Sequence, residues 1–147
     1  MTVNTSGKWW IGSEPTDIAE FLSAYSQDGY PISEFRLSKC ECGSVTFGLE
    51  ADDNEGVARR LCTQCGTAHF ICDSAEHWPD AEPEQWKCIE CDSLHTNVGV
   101  GFAMHKDPPS EIHWLYVGCR CTQCGVLGCF AEWKVGYSSS SHLLDTV

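Results

Sequence analysis

The sequence predicts a mainly β, small α+β protein, made of two tandem four-cysteine units of antiparallel hairpins with one helix ahead of them. Three observations lead there. Eleven of the 147 residues are cysteine, mostly in close pairs. The pentapeptide CTQCG occurs twice, at Cys62 to Gly66 and Cys121 to Gly125, and each copy follows an earlier cysteine pair and a strand-like run. The segments between and after the pairs are rich in Val, Ile and aromatic residues and alternate in part, as half-buried strands do.

The N-terminal segment, 1–34, carries the helix. Ile18, Phe21, Leu22 and Tyr25 fall at i, i+3, i+4 and i+7 and so share one helical face. Pro15 sits near the start, Thr16 and Asp17 offer a cap and a dipole partner, and Gly29 with Pro31 ends the run, which places the helix at about 16–27. Strands are expected in SVTFGLEA, VARRL, AHFIC, NVGVGFAM, IHWLYVG and VLGCFAEWKV, with HKDPPSE as the loop of a long hairpin.

The cysteine pairs define the chemistry. A structural metal site takes four ligands at the corners of a tetrahedron, and two cysteines two to four residues apart reach one metal from a single turn. A glycine after the second cysteine lets backbone amides turn toward the sulfurs. Cys62/Cys65 and Cys121/Cys124 meet both conditions; Cys88/Cys91 has the spacing without the glycine, and Cys40/Cys42 is one residue tighter than usual. Pairing by the repeat gives Cys40, Cys42, Cys62 and Cys65 as one site and Cys88, Cys91, Cys121 and Cys124 as the other. The intervals between pairs are 19 and 29 residues, the first within the usual range of about 15–20. Zn2+ is the expected metal, two structural ions in all; four sulfurs also suit iron. Cys72, Cys119 and Cys129 are left as small buried apolar groups, with Cys119 as an alternative ligand in place of Cys121.

These features resemble the zinc-ribbon superfamily, with its rubredoxin-like knuckles, used twice over roughly Phe35 to Tyr137. The chain is also similar to uncharacterised bacterial twin zinc-ribbon proteins that share the order CxCG, CxxCG, an acidic stretch before a Trp, a second pair, LYVG and CGVLG. The resemblance implies two tandem ribbons: a first at 35–73, an acidic bridge at 74–85, a second at 86–137 and a tail at 138–147. It implies no activity. The CxC pair and the extra Cys119 depart from the ribbon pattern.

Charge narrows the function classes. The formal net charge is −12, and two four-thiolate zinc centres would take it to about −16. Such a field repels phosphate backbones and draws in basic partners. Only nine Lys and Arg occur, and Arg59-Arg60, with Trp9 and Trp10, is the sole hint of a nucleic-acid surface, so direct nucleic-acid binding is not expected. The sequence contains no HExxH, GxSxG, P-loop or GxGxxG pattern, and four-cysteine sites leave no open coordination position, so no catalytic activity is expected. Asp73, Glu76 and His77 are the nearest thing to a polar catalytic cluster. The N-terminus shows neither leader nor membrane span, which with the odd cysteine count points to the reducing cytoplasm. The expected role is protein–protein interaction through Asp73, Glu76, Trp78, Asp80, Glu82, Glu84 and Trp86, with a basic partner, in the form of an immunity protein or inhibitor of a basic toxin. The alternatives are an accessory factor in transcription or translation and a metal-thiolate redox protein. In the tail, the serine run reads as a link and LLDTV as a segment that docks back.

Overall fold

A computed structural model describes residues 3–104, 111–135 and 141–147. Residues 105–110 of the expected loop HKDPPSE and 138–140 of the serine run lie outside the described residues.

The chain forms β1 (Val3–Asn4), β2 (Ile11–Gly12), α1 (Asp17–Tyr25), β3 (Glu34–Leu37), β4 (Phe47–Asp52), β5 (Val57–Cys62), β6 (Ala68–Phe70), α2 (Ser74–His77), β7 (Glu84–Gln85), β8 (Thr96–Met104), β9 (Ile112–Cys121) and β10 (Leu127–Lys134). Short 3-10 turns follow α2 at Trp78–Asp80 and close the chain at Ser141–Asp145. The mainly β class is therefore correct. One sheet runs β10-β9-β8-β4-β5-β6, with β3 also on β8 and β7 also on β4; every pairing is antiparallel.

The internal repeat is visible as a register. β4 meets β8 at Phe47 and Thr96, each the fifth residue past the second cysteine of its repeat. On either side of that point the same pairings recur. Leu61 opposes Ala68 as Arg120 opposes Leu127, and Arg60 opposes His69 as Cys119 opposes Gly128. Thr63 donates its amide to Thr46 O as Thr122 does to His95 O, 3.2 Å in both. The leading strands are exchanged. β3, ahead of the first repeat, pairs with β8 of the second, and β7, ahead of the second, pairs with β4 of the first. Leu37 opposes Gly99 as Gln85 opposes Glu50, and the amides of Ser38 and Trp86 donate to Val98 O (2.8 Å) and Leu49 O (2.7 Å). The two repeats thus share a single sheet, and each half supplies a strand to the other.

Helix α1 is shorter at both ends than its periodicity suggests. Asp17 faces back out of the first turn, and its Oδ2 accepts the amides of Ser13 (2.9 Å) and Glu14 (3.0 Å). Ile18 and Leu22 are fully buried, Phe21 is half-buried, and Tyr25 remains 50% exposed with its hydroxyl donating to Glu132 (2.8 Å). The helix lies on a floor of glycines. A Cβ on Gly118 would stand 2.5 Å from Ile18 Cγ2 and 2.9 Å from Leu22 Cδ1, and one on Gly99 would stand 2.5 Å from Phe35. Those glycines bring the helix into the sheet, so that NVGVGF and LYVG are strand sequences with a notch cut for α1. On the other face the main core gathers Phe47, Leu49, Ile71, Val98, Val100, Phe102, Leu115, Val117 and Trp133 around both cysteine clusters.

The tail docks as expected. Leu143 enters the core, and Cys72 donates its amide to Thr146 O (2.9 Å).

The acidic segment is pinned rather than loose. Asp52 Oδ2 accepts the amide of Glu82 (2.9 Å), and Oδ1 accepts those of Asn54 (3.0 Å) and Glu55 (3.3 Å). The Glu82 amide first, and then those of Glu55 and Asn54, hold the Asp52 carboxyl below its usual range. A depressed carboxyl contributes stability above its unfolded value of about 3.9 and loses it as pH falls through the folded value. The protection factor of the Glu82 amide, its exchange rate relative to the free-peptide rate at the same pH, should accordingly be large at neutral pH, fall in acid, and stay near one at every pH in Asp52→Ala. Equal protection in wild type and variant would contradict the contact.

Candidate metal centres

The four sulfurs of Cys40, Cys42, Cys62 and Cys65 all lie within 4.8 Å of one another, and so do those of Cys88, Cys91, Cys121 and Cys124. The contacts follow one scheme in both groups. Cys40 is 3.5 Å from Cys65 and Cys42 is 3.5 Å from Cys62; Cys88 is 3.5 Å from Cys124 and Cys91 is 3.5 Å from Cys121. Four sulfurs about 2.3 Å from a central ion stand about 3.8 Å apart, so both groups fit a tetrahedral thiolate site. Cys121, not Cys119, belongs to the second group. Cys119 lies buried beneath it with its thiol pushed up to about 12 by burial, and Cys72 is likewise raised to about 12 by burial. Cys129, also raised by burial, lies outside both groups.

Each pair sits on a turn whose last residue is left-handed. The amides of Gly66 and Gly125 donate to Cys62 O and Cys121 O (both 2.9 Å), and that of Asp92 donates to Cys88 O (3.1 Å). The CxC pair closes one residue sooner, with the Gly43 amide donating to Cys40 O (2.8 Å). That tighter turn absorbs the missing residue and still brings the sulfurs into range. φ is +97° at Gly43, +78° at Gly66 and +83° at Gly125, the region glycine enters without penalty. At the fourth turn Asp92 takes φ +63°. A side chain in that conformation costs about 1–2 kcal/mol, less for Asp than for most residues. Its ion pair with Lys87, at 3.6 Å and well exposed on both sides, returns little. Asp92→Gly should therefore raise stability by about 0.5–1 kcal/mol in a denaturant titration of the metal-loaded protein, and a loss of stability would count against the turn geometry.

The turns aim amides at sulfur. The amide of Cys65 and then, against burial, that of Gln64 bring Cys62 down to about 6. At Cys121 burial pushes upward, and the amides of Cys124 and Gln123 outweigh it to leave the thiol at about 7. These N–H dipoles favour the thiolate form that a metal requires.

The residues expected to form a partner surface divide. Glu76, Asp80, Glu82 and Glu84 are exposed. Asp73 is half-buried; burial raises its carboxyl, and it accepts the indole N–H of Trp133 at 3.3 Å. Trp78 is half-buried between Phe70, ring centroids 5.3 Å apart, and the Arg59 guanidinium at 4.8 Å. Trp86 corrects the expectation: it is 7% exposed and packs in the core, because its backbone continues β7 onto β4 and turns the indole inward. The acidic surface gains members that sequence order hides. Asp53 accepts the amide of Glu132 (3.0 Å), which places the turn between β4 and β5 beside the edge strand β10. His77 stands exposed at the end of α2, and no hydrogen bond or ion pair among the described residues joins it to Asp73, which accepts the Trp133 indole N–H.

Fold and clusters together define the class as a small α+β protein with two four-cysteine sites that could hold metal. Comparison with known families, with curated proteins and with solved structures finds no match. Among the described residues no helix is long and apolar enough to cross a membrane.

Proposed function

We propose that this chain is a twin zinc-ribbon protein without catalytic activity, whose two closed zinc centres hold an acidic surface in shape for capturing a basic protein partner. The observation that carries this reading is the exposure of Glu76, Asp80, Glu82 and Glu84 on a segment tied to the sheet at Asp52 and Glu84, in a chain of net charge −12. A fixed array of like charge speeds encounter with an opposite one and excludes acidic competitors. Four thiolates per ion leave no vacant position for substrate, which favours a scaffold over a catalyst. Its sharpest form is an immunity protein or inhibitor that masks a basic toxin.

The test compares wild type with a variant carrying Asp80→Lys, Glu82→Lys and Glu84→Lys, both with two metals confirmed by native mass spectrometry. In pull-downs from the native host, wild type should retain a basic protein in a salt-sensitive manner and the variant should lose it. Co-purification with nucleic acid, or an identical set of partners for both, would overturn the reading.

A further inference from the structure

The register that relates the two repeats also relates the flanks of their metal centres. In the first repeat that flank receives the chain's own last residues. Arg60 Nε donates to Val147 O at 2.8 Å, Ser38 Oγ donates to the same oxygen at 2.9 Å, and His69 Nε2 lies 2.9 Å from Thr146 O. A cavity of about 460 Å³ beside Cys40 and Cys42 includes Arg60 and His69 in its wall.

The second repeat has counterparts for all three of these residues. Ser38 corresponds to Trp86, since their amides make matching bonds to Val98 and Leu49. Arg60 and His69, which oppose each other across β5 and β6, correspond to Cys119 and Gly128 across β9 and β10. Trp86, Cys119 and Gly128 all line a second cavity, of about 260 Å³, beside Cys88. Its remaining walls include Trp9, Val126 and Phe130. The position of Glu41 in the first knuckle is taken by Ile89, which lines this cavity while 66% exposed. The hydroxyl, guanidinium and imidazole that meet the tail's carbonyls in the first repeat are thus replaced in the second by an indole, by a buried thiol that donates to Gly128 O (3.5 Å), and by no side chain at all.

We propose that this second cavity is a docking site for one large apolar side chain, leucine or phenylalanine, on a peptide segment of a partner protein. The segment would lie against the second repeat as Leu143–Val147 lies against the first. Having lost the hydroxyl, guanidinium and imidazole, the site recognises a side chain. Its volume falls below the roughly 300–1,000 Å³ of small-molecule sites, which suits one anchor residue better than a cofactor. The rim is nearly balanced in charge: Lys87 pairs with Asp92 (3.6 Å), and Glu90 accepts the Trp9 indole N–H (2.6 Å). The anchor therefore acts through burial, apart from the acidic segment. That the protein offering it is basic rests on the functional reading above; the cavity does not.

Nuclear magnetic resonance on the metal-loaded full chain tests this with N-acetyl-leucinamide and N-acetyl-phenylalaninamide as probes and N-acetyl-lysinamide as the control. Saturable shifts are expected at Ile89, Val126, Gly128 and the Trp9 indole. A Cβ on Gly128 would have only Cys119 Sγ near it, at 3.6 Å, so Gly128→Leu should fill the cavity without disturbing the strand and weaken probe binding at least tenfold. Should that variant fail to bind two metals, Ile89→Glu applies the same test from the exposed rim. Probe binding should survive Glu82→Lys and Glu84→Lys, so failure here and failure of the acidic-surface reading are read separately. No saturable shift with either apolar probe, equal binding of the lysine probe, or full binding in the filled or rim variant would overturn the proposal.

Discussion

Replacing Cys62 with alanine is expected to unfold both repeats, not one. A four-cysteine zinc site contributes about 10–16 kcal/mol to folding in small metal-dependent domains, as much as or more than the roughly 5–15 kcal/mol by which a whole domain is stable. Two independent ribbons would leave the second intact. Here β3 and β7 are exchanged between the repeats, so collapse of the first removes the partner of β7 and frees β3 from β8. Trp86, Phe47 and Val98 share one core, and its loss reaches the Cys88 cluster directly. Far-ultraviolet circular dichroism and tryptophan fluorescence should lose their native signals together, in Cys62→Ala and on chelation of the wild type. Retention of about half the strand signal with one metal still bound would show the repeats to be separable.

Gly118→Val should be the most damaging change outside the two four-cysteine groups. The first added carbon would stand 2.5 Å from Ile18 and 2.9 Å from Leu22, both fully buried, and strand and helix have no third direction in which to yield. Overpacking costs about 1–3 kcal/mol where neighbours can adjust. Lifting α1 off the sheet also returns two apolar side chains to water, at about 1.5–3 kcal/mol each. A total near 3–5 kcal/mol follows when the helix lifts only partly. Gly48→Ala is the matched control, because its Cβ would meet nothing nearer than Leu61 O at 4.0 Å, and it should be neutral or slightly stabilising. Denaturant midpoints of the metal-loaded proteins would decide; a cost for Gly118→Val below about 1 kcal/mol would refute the close packing of α1.

What could be read from the residues alone was whatever has a short period or a fixed spacing. The helix follows from Ile18, Phe21 and Leu22, six strands follow from their Val, Ile and aromatic content, and both cysteine clusters follow from CTQCG. Trp86 shows where such reading stops. It lies in an acidic stretch, and the strand that turns it inward, Glu84–Gln85, is two residues long and entirely polar. Pairing, not composition, makes that strand, and pairing across some 35 residues leaves no local trace. One signal was available: Lys39-Cys40 and Lys87-Cys88 align the two repeats, and setting Ser38 on Trp86 would have marked both as positions just inside the sheet. Asp92 is a smaller case. Spacing identified its turn correctly, while the missing glycine looked like a defect; an aspartate in the left-handed region fills the role at a modest cost.

The exchanged strands also set an order of events during synthesis. All four cysteines of the first centre, Cys40 to Cys65, leave the ribosome well before Gly99 to Phe102, on which β3 depends. A metal can be captured early, yet the edge of the first half stays bare until β8 emerges about thirty residues behind Cys65 and β9 closes over it. The nascent chain therefore passes through an interval with one site assembled and one strand waiting, when a chaperone or a neighbouring copy could pair with the open edge. Late residues thereby complete the earliest structure.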